Sequence, residues 1–196
     1  MGKTSINIAI FASGSGTNAQ AILDYFKGNK LVDIKCIYSN NPAAYALTRG
    51  KKFGIKTKSF TKEDFYKSPA ILAHLKNNQI DLIILAGFMW LVPTQLVKNF
   101  TLLNIHPALL PNYGGKGMYG HFVHEAVIKN KEQQSGITIH YVNNQYDKGS
   151  IITQVTCPVA PNDTADSLAA KIHMLEHKHY PETILKVVEK LLSESN

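Results

Sequence analysis

The sequence predicts an α/β protein built on a doubly wound, mostly parallel sheet, with an antiparallel strand extension and a long C-terminal helix. Three observations predict it. Short apolar runs alternate with segments of helical periodicity through the first half of the chain. One run, Ile80-Asp-Leu-Ile-Ile-Leu-Ala-Gly87, is apolar almost without interruption, which suits a central parallel strand covered on both faces. A Gly-rich turn, Gly14-Ser-Gly16-Thr-Asn18, separates the first apolar run from the first amphipathic one.

In chain order, Ile6 to Ala12 reads as a buried strand. After the turn, Ala19, Ile22, Leu23 and Phe26 recur on one helical face, with Asn18 as the N-cap. Leu31 to Tyr38 is a second strand, closed by Ser39-Asn-Asn-Pro42. Ala43 to Lys52 is a helix ending near Gly54, and Ile55 to Ser59 a short strand. Thr61 to Asn77 is mostly helical, broken after Ser68 by Pro69. Beyond the central strand, Pro93 opens a short helix to Phe100 and Leu102 to Ile105 is the next strand. A Gly/Pro-rich loop from Pro107 to Gly120 precedes a helix from about Phe122 to Asn130. Ile137 to Val142 and Ile151 to Val155 alternate as a strand pair, and a last helix from about Thr164 to Leu192 bends near Pro181. No repeat or low-complexity segment divides the chain, so residues 1–196 read as one domain.

With 196 residues and 44% hydrophobic content the chain can bury a proper core, and 18% charged residues are too few for a disordered or coiled-coil protein. The net charge of +7 favours anionic partners. The lysines are dispersed, Arg49 is the only arginine, and no basic block with interleaved aromatics is present, so nucleic acid is not expected as a partner. No apolar run approaches the roughly 20 residues of a membrane span. Ile6 to Ala12 is interrupted by Asn7 and short for a signal peptide, so no membrane is expected and the cytoplasm is the expected location. Cys36 and Cys157 form no C-x-x-C pair and read as free thiols.

In open parallel sheets ligands sit beyond the carboxyl ends of the strands. Gly14 to Asn18, Gly87 to Val92 and Asn104 to Pro111 all fall there. The Gly-rich turn suits an anion, because glycines permit close approach and free N–H groups at a helix start point outward. The turn also fits G-x-G-x-x-A, but the second strand ends in Ser39-Asn40-Asn41 with no acid for a ribose. Asp33 lies at the wrong end, so a single phosphate is the better ligand. A bare tight turn is the plainer alternative.

Strand alternation puts Asn104 and His106 on one side of the chain. An amide can donate to a developing oxyanion, and an imidazole can exchange a proton near neutrality. Equally, both could satisfy backbone groups at a strand end. Asp147, in Gln145-Tyr-Asp147-Lys-Gly149, is the candidate third member as an orienting carboxylate, or an ordinary turn aspartate. His173-Met-Leu-Glu176-His177 matches H-x-x-E-H, so a zinc hydrolase using His173, Glu176 and His177 is a remote alternative. His121 and His124 read as a solvated or packing pair. His140 is either a residue supporting the site or a satisfied strand histidine.

Taken together, Ala12-Ser-Gly-Ser-Gly-Thr-Asn18, Leu85-Ala-Gly-Phe-Met89, Leu103-Asn-Ile-His-Pro-Ala-Leu-Leu-Pro111, Gly136-Ile-Thr-Ile-His140, Tyr146-Asp-Lys-Gly149 and Glu176-His-Lys-His-Tyr-Pro181 resemble the phosphoribosylglycinamide formyltransferase family of folate-dependent enzymes. The resemblance covers nearly the whole chain. It implies the Rossmann-like formyltransferase fold, and transfer of a formyl group from 10-formyltetrahydrofolate to the amine of glycinamide ribonucleotide in purine synthesis, with no metal. It implies Asn104, His106 and Asp147 as catalytic residues. Gly16, Thr17 and Asn18 would hold the substrate phosphate and Glu176 would contact the ribonucleotide. The folate would lie along Met89, Trp90, Leu91, Val92, Asn143 and Asn144, up to Asp147.

Two departures stand out. Trp90 occupies a position where many relatives carry Arg, and Tyr113-Gly-Gly-Lys-Gly-Met-Tyr-Gly120 differs from their shorter Pro-Gly loop, offering Lys116 as a candidate anion ligand. The rival readings are another folate-dependent formyltransferase, a formyltetrahydrofolate hydrolase, and a module that binds a phosphorylated metabolite without chemistry. Methionyl-tRNA formyltransferase shares the Asn-x-His core but carries an added RNA-binding domain, for which the residues after Asp147 leave little room. A monomer or homodimer is expected.

Overall fold

A computed structural model describes residues 3–195. The strands are β1 (Ile6–Phe11), β2 (Val32–Ser39), β3 (Lys56–Ser59), β4 (Leu82–Leu85), β5 (Thr101–His106), β6 (Gln134–Tyr141) and β7 (Ile151–Pro158). The helices are α1 (Thr17–Tyr25), α2 (Tyr45–Lys52), α3 (Lys62–Tyr66), α4 (Ala70–Asn77), α5 (Thr94–Asn99), α6 (His121–Lys129) and α7 (Ala165–Glu194). They form one seven-stranded sheet in the order β3-β2-β1-β4-β5-β6-β7. The first five strands are parallel, and β6 and β7 add antiparallel to β5 and to each other. The predicted α/β architecture, its antiparallel extension and the long last helix are all present.

Both faces of the sheet are covered, and the period-2 alternation of the strands sorts their side chains between two cores. Ile8, Ile10, Ile84 and Leu103 pack with Ala19, Ile22, Leu47, Val127, Ile172 and Ile184, so α1, α2, α6 and α7 cover one face. Ala9, Phe11, Ile83 and Leu102 pack with Phe65, Ile71, Leu75 and Leu96, so α3, α4 and α5 cover the other. This two-sided burial is why Leu82–Leu85 reads as an unbroken apolar run.

The break expected at Pro69 separates α3 from α4. A reciprocal capping box between Thr61 and Asp64 starts α3. A second, between Thr164 and Ser167, starts α7, which runs on through Pro181. Buried Tyr180, just before that proline, places its hydroxyl 2.9 Å from the Leu85 carbonyl and 3.1 Å from that of Leu103. The long helix is thereby tied to the ends of the two strands that carry the cleft. Among the described residues no helix is long and apolar enough to cross a membrane.

One local expectation fails. Asn18 does not cap α1: the helix starts at Thr17, its N-cap is Gly16 with φ 70°, and no side chain caps it. Asn18 is instead inside the helix and buried, its amide drawn into a contact with α7.

Candidate active site

The sheet order reverses between β1 and β4, where the crossover out of β1 through α1 and the crossover into β4 through α3 and α4 run on opposite faces and open a crevice at the carboxyl edge. A cleft of about 690 Å³ lies there, walled by the segments that follow β1, β4 and β5 and closed by Gly115 to Gly120, Asp147 and α7.

The Gly-rich turn forms one end. A Cβ on Gly16 would sit 2.6 Å from the Cβ of Ala46, and its positive φ is disfavoured for L side chains, so both α2 packing and backbone direction require glycine. Ser13 fastens the strand ends together: its hydroxyl donates to Asn40 Oδ1 at 2.7 Å and accepts from the Met89 N–H at 3.0 Å. Arg49 supports the turn from behind, donating from Nε to the Ser15 carbonyl at 2.9 Å and from Nη1 to Gln20 at 3.1 Å. Gly16, Thr17 and Asn18 all line the cleft. Asn18 Nδ2 donates to Glu176 Oε2 at 3.1 Å, while Asn18 Oδ1 is buried with no partner in the protein. Burial pushes the Glu176 carboxyl up from 4.5 to about 7, against the opposing pull of the Asn18 amide. Near neutrality Glu176 therefore exchanges between acceptor-only and donor-bearing forms.

Asn104, His106 and Asp147 come together in the middle. Register places Asn104 directly opposite His140 on β6. His140 Nδ1 donates to the Tyr141 carbonyl at 2.8 Å, which turns Nε2 toward Asn104 and Asp147. Asn104 Nδ2 lies 3.2 Å from His140 Nε2 and donates to Asp147 Oδ1 at 3.5 Å. The contact with Asp147 Oδ1 fixes the orientation of the Asn104 amide. His106 Nε2 donates to the Tyr113 carbonyl at 2.7 Å, which turns Nδ1 toward Asp147 Oδ2, 3.7 Å away. Asp147 Oδ2 also accepts the Gly115 N–H at 2.9 Å, and Oδ1 lies 3.7 Å from His140 Nε2.

These surroundings set the protonation states. Burial depresses the His106 imidazole below its ordinary 6.5, outweighing the charge of Asp147 and the Tyr113 carbonyl that favour its proton; His140 acts with burial. For Asp147, burial works upward, but the His140 contact, the His106 ring and the Gly115 N–H together hold the carboxyl below its usual range. At neutral pH the arrangement is a carboxylate beside a neutral imidazole, with an amide donor next to both.

Sequence reasoning left His140 undecided and missed Tyr113 and Gly115. Strand alternation from Thr138 carried a signal for His140. The other two act through a carbonyl and an N–H, for which side-chain identity carries no signal.

At the far end, Met89, Trp90, Leu91, Val92 and Asn143 line the cleft, while Asn144 is exposed and outside it. Trp90 packs its ring among Phe60, Phe65, Tyr66 and Phe88, with centroids 5.9 to 6.4 Å apart. Tyr66 donates to the Leu91 carbonyl at 2.8 Å. The segment is held by an aromatic cluster, so it presents backbone and ring surface to a ligand.

His173 and His177 stack with ring centroids 6.1 Å apart, Glu176 is engaged by Asn18, and no metal-holding group of three His, Cys, Asp or Glu occurs among the described residues. His121 pairs with Glu125 at 3.3 Å and Asp166 at 3.7 Å. His124 is buried in the cleft wall, its Nδ1 without a partner; burial, then the neighbouring His173, His121 and His106, lower it to about 4.

Residues 6–184 match the formyl transferase family. The chain is 39% identical over 190 residues to a chloroplastic phosphoribosylglycinamide formyltransferase of Vigna unguiculata, covering 93% of this chain but 61% of that protein. The chain thus spans about three-fifths of the length of that plant relative. It is 37% identical to the phosphoribosylglycinamide formyltransferase of Dictyostelium discoideum, covering 96% of this chain and 98% of the other. Among solved structures, glycinamide ribonucleotide transformylase 1 from Symbiobacterium toebii superposes with a TM-score of 0.86 at 32% identity, over 95% of this chain and 89% of that one.

Proposed function

This chain belongs to the formyl transferase family, and we propose that it transfers the formyl group of 10-formyltetrahydrofolate to the amine of glycinamide ribonucleotide. The observation that carries the reading is the convergence of Asn104, His106 and Asp147 between a Gly-rich helix start and an apolar segment in one cleft. The relatives named for this reaction support the choice of acceptor. The acceptor phosphate sits against Gly16, Thr17 and Asn18, its sugar side toward Glu176. The folate lies along Met89 to Val92 and Asn143.

In this reading the acceptor amine attacks the formyl carbon and the carbonyl oxygen becomes an oxyanion. Asn104 Nδ2 donates to it, exchanging its long 3.5 Å contact with Asp147 for a charge-assisted bond. His106 takes up a proton on Nδ1, where Asp147 stabilises the imidazolium, and its Nε2–H keeps the Tyr113 carbonyl. The intermediate collapses by breaking the bond from the formyl carbon to the folate nitrogen. The proton lost by the amine returns to that nitrogen, so the step balances with no redox partner. No residue of the set calls for a metal, and the enzyme works as a soluble cytoplasmic protein on small molecules.

The test is loss of the formyl group, followed by absorbance, with purified protein and both co-substrates. An Asp147→Asn variant and a control without ribonucleotide run beside it. Turnover that needs the ribonucleotide and collapses in the variant supports the reading. Turnover without the ribonucleotide would identify a hydrolase instead, and none in folded protein would refute the assignment.

A further inference from the structure

The loop from Tyr113 to Gly120 is tied to the catalytic groups at one end only. The Tyr113 carbonyl accepts from His106 and the Gly115 N–H donates to Asp147. The residue that follows, Lys116, lines the cleft and is exposed to solvent, held out between Gly115 at φ 98° and Gly117 at φ 90°. It is the only Lys or Arg in the cleft wall among the described residues. Its ammonium makes no ion pair or hydrogen bond with any described residue.

The charge balance of the cleft makes this matter. The acids and histidines of the wall are Asp147, Glu176, His106, His124, His140 and His173. The carboxyl of Asp147 is held low, that of Glu176 is raised to about 7, and the imidazoles of His106 and His124 are depressed, so Asp147 is a fixed negative charge in the wall and Lys116 its one permanent cation among the described residues. Arg49, which bonds to the Gly-rich turn, is committed to the Ser15 carbonyl and Gln20 and lies over the Tyr45 ring at 4.9 Å. Without Lys116, an anionic ligand would meet neutral N–H donors at the turn and the Asp147 carboxylate beyond it.

We propose that Lys116 is the cation by which the cleft recognises a co-substrate oxyanion, either a phosphate monoester or a carboxylate. Its part is substrate recognition and not the chemical step, and the turnover arm of its test rests on the formyl transfer proposed above. A charge-assisted hydrogen bond is commonly worth about 1.5–3 kcal/mol, roughly ten- to a hundredfold in affinity.

Two arms test it. In the first, ribose 5-phosphate and N-(4-aminobenzoyl)glutamate are added separately to wild type, Lys116→Ala and Lys116→Arg, and the shift in thermal midpoint is read. One of the two fragments should stabilise wild type and Lys116→Arg but not Lys116→Ala, which also names the source of the oxyanion. In the second, Lys116→Ala should raise KM for the corresponding co-substrate about tenfold or more, with kcat within about twofold, and Lys116→Arg should restore most of it. Fragment shifts equal in all three proteins would overturn the proposal. So would a fall in kcat at constant KM, which would mean that the loop acts through Asp147. If no formyl transfer is seen while a fragment shift depends on Lys116, the function fails and this assignment stands.

Discussion

Replacing Glu176 by Gln should stabilise the protein in a pH-dependent way whose size follows from the burial of one carboxyl. The group is raised from 4.5 to about 7. Between those values the unfolded chain has released the proton and the folded protein retains it. The folded state then binds more protons, so stability falls as pH rises through that window and the loss is complete above about 7. A difference of about 2.5 pKa units at 1.36 kcal/mol each corresponds to about 3 kcal/mol. Glutamine keeps an acceptor for Asn18 Nδ2, does not titrate, and brings a donor to a site where Asn18 Oδ1 has no partner in the protein. Urea unfolding of both proteins from pH 4.5 to 8 reads the difference directly, and groups shared by both largely cancel in it. The advantage of Glu176→Gln should grow by about 3 kcal/mol across the range, or roughly 6–12 °C in thermal midpoint for a chain of this size. A difference that stays flat with pH, or that shifts in favour of wild type as pH rises, would refute the reasoning.

Three further perturbations separate chemistry from support. Asn104→Ala should cost at least about a hundredfold in kcat, as loss of one oxyanion donor of about 3–4 kcal/mol implies; near-normal turnover would remove Asn104 from the role. Asp147→Asn removes the charge that favours the His106 proton, so the His106 ring resonance in NMR should titrate at still lower pH than its already depressed wild-type position. Movement upward would contradict the contact at 3.7 Å. In Gly149→Ala the new Cβ would fall 1.6 Å from the Tyr141 carbonyl oxygen, so β6 and the Asp147 loop must part; a loss of about 2 kcal/mol or more is expected, and an unchanged melting midpoint would disprove it.

What was legible in the sequence follows from how far each interaction reaches. Apolar alternation reports local burial, so the strands were found, and with them the doubly wound sheet. Alternation also put Asn104 and His106 on one side, and both do reach Asp147. The error at Asn18 has a distant cause. Its amide looks like a cap locally, but it is spent on Glu176, 158 residues away, and the helix start falls to Gly16. Alternation gave His140 a face but not a partner; the β5–β6 register sets it opposite Asn104. Asn143 and Asn144 cannot be told apart by type; the loop turns the first into the cleft and leaves the second exposed.

The site is also held by backbone that the residue types do not favour. Among the described residues four non-glycines have positive φ, and two of them, Tyr113 at 55° and Asp147 at 54°, form the cradle of His106. Such conformations cost on the order of 1–3 kcal/mol each, and each is restrained here by polar anchors. The Tyr113 hydroxyl donates to Glu132 at 2.6 Å and accepts from Asn130 at 2.8 Å, which fixes the turn that aims its carbonyl at His106 Nε2. The Asp147 carboxylate takes the Gly115 N–H. Because Nε2 is thereby kept protonated, the free lone pair of His106 must be on Nδ1, the nitrogen that faces Asp147. The protonation pattern that the proposed acyl transfer calls for is therefore set by two strained turns and their remote anchors, and not by the Asn-x-His spacing alone.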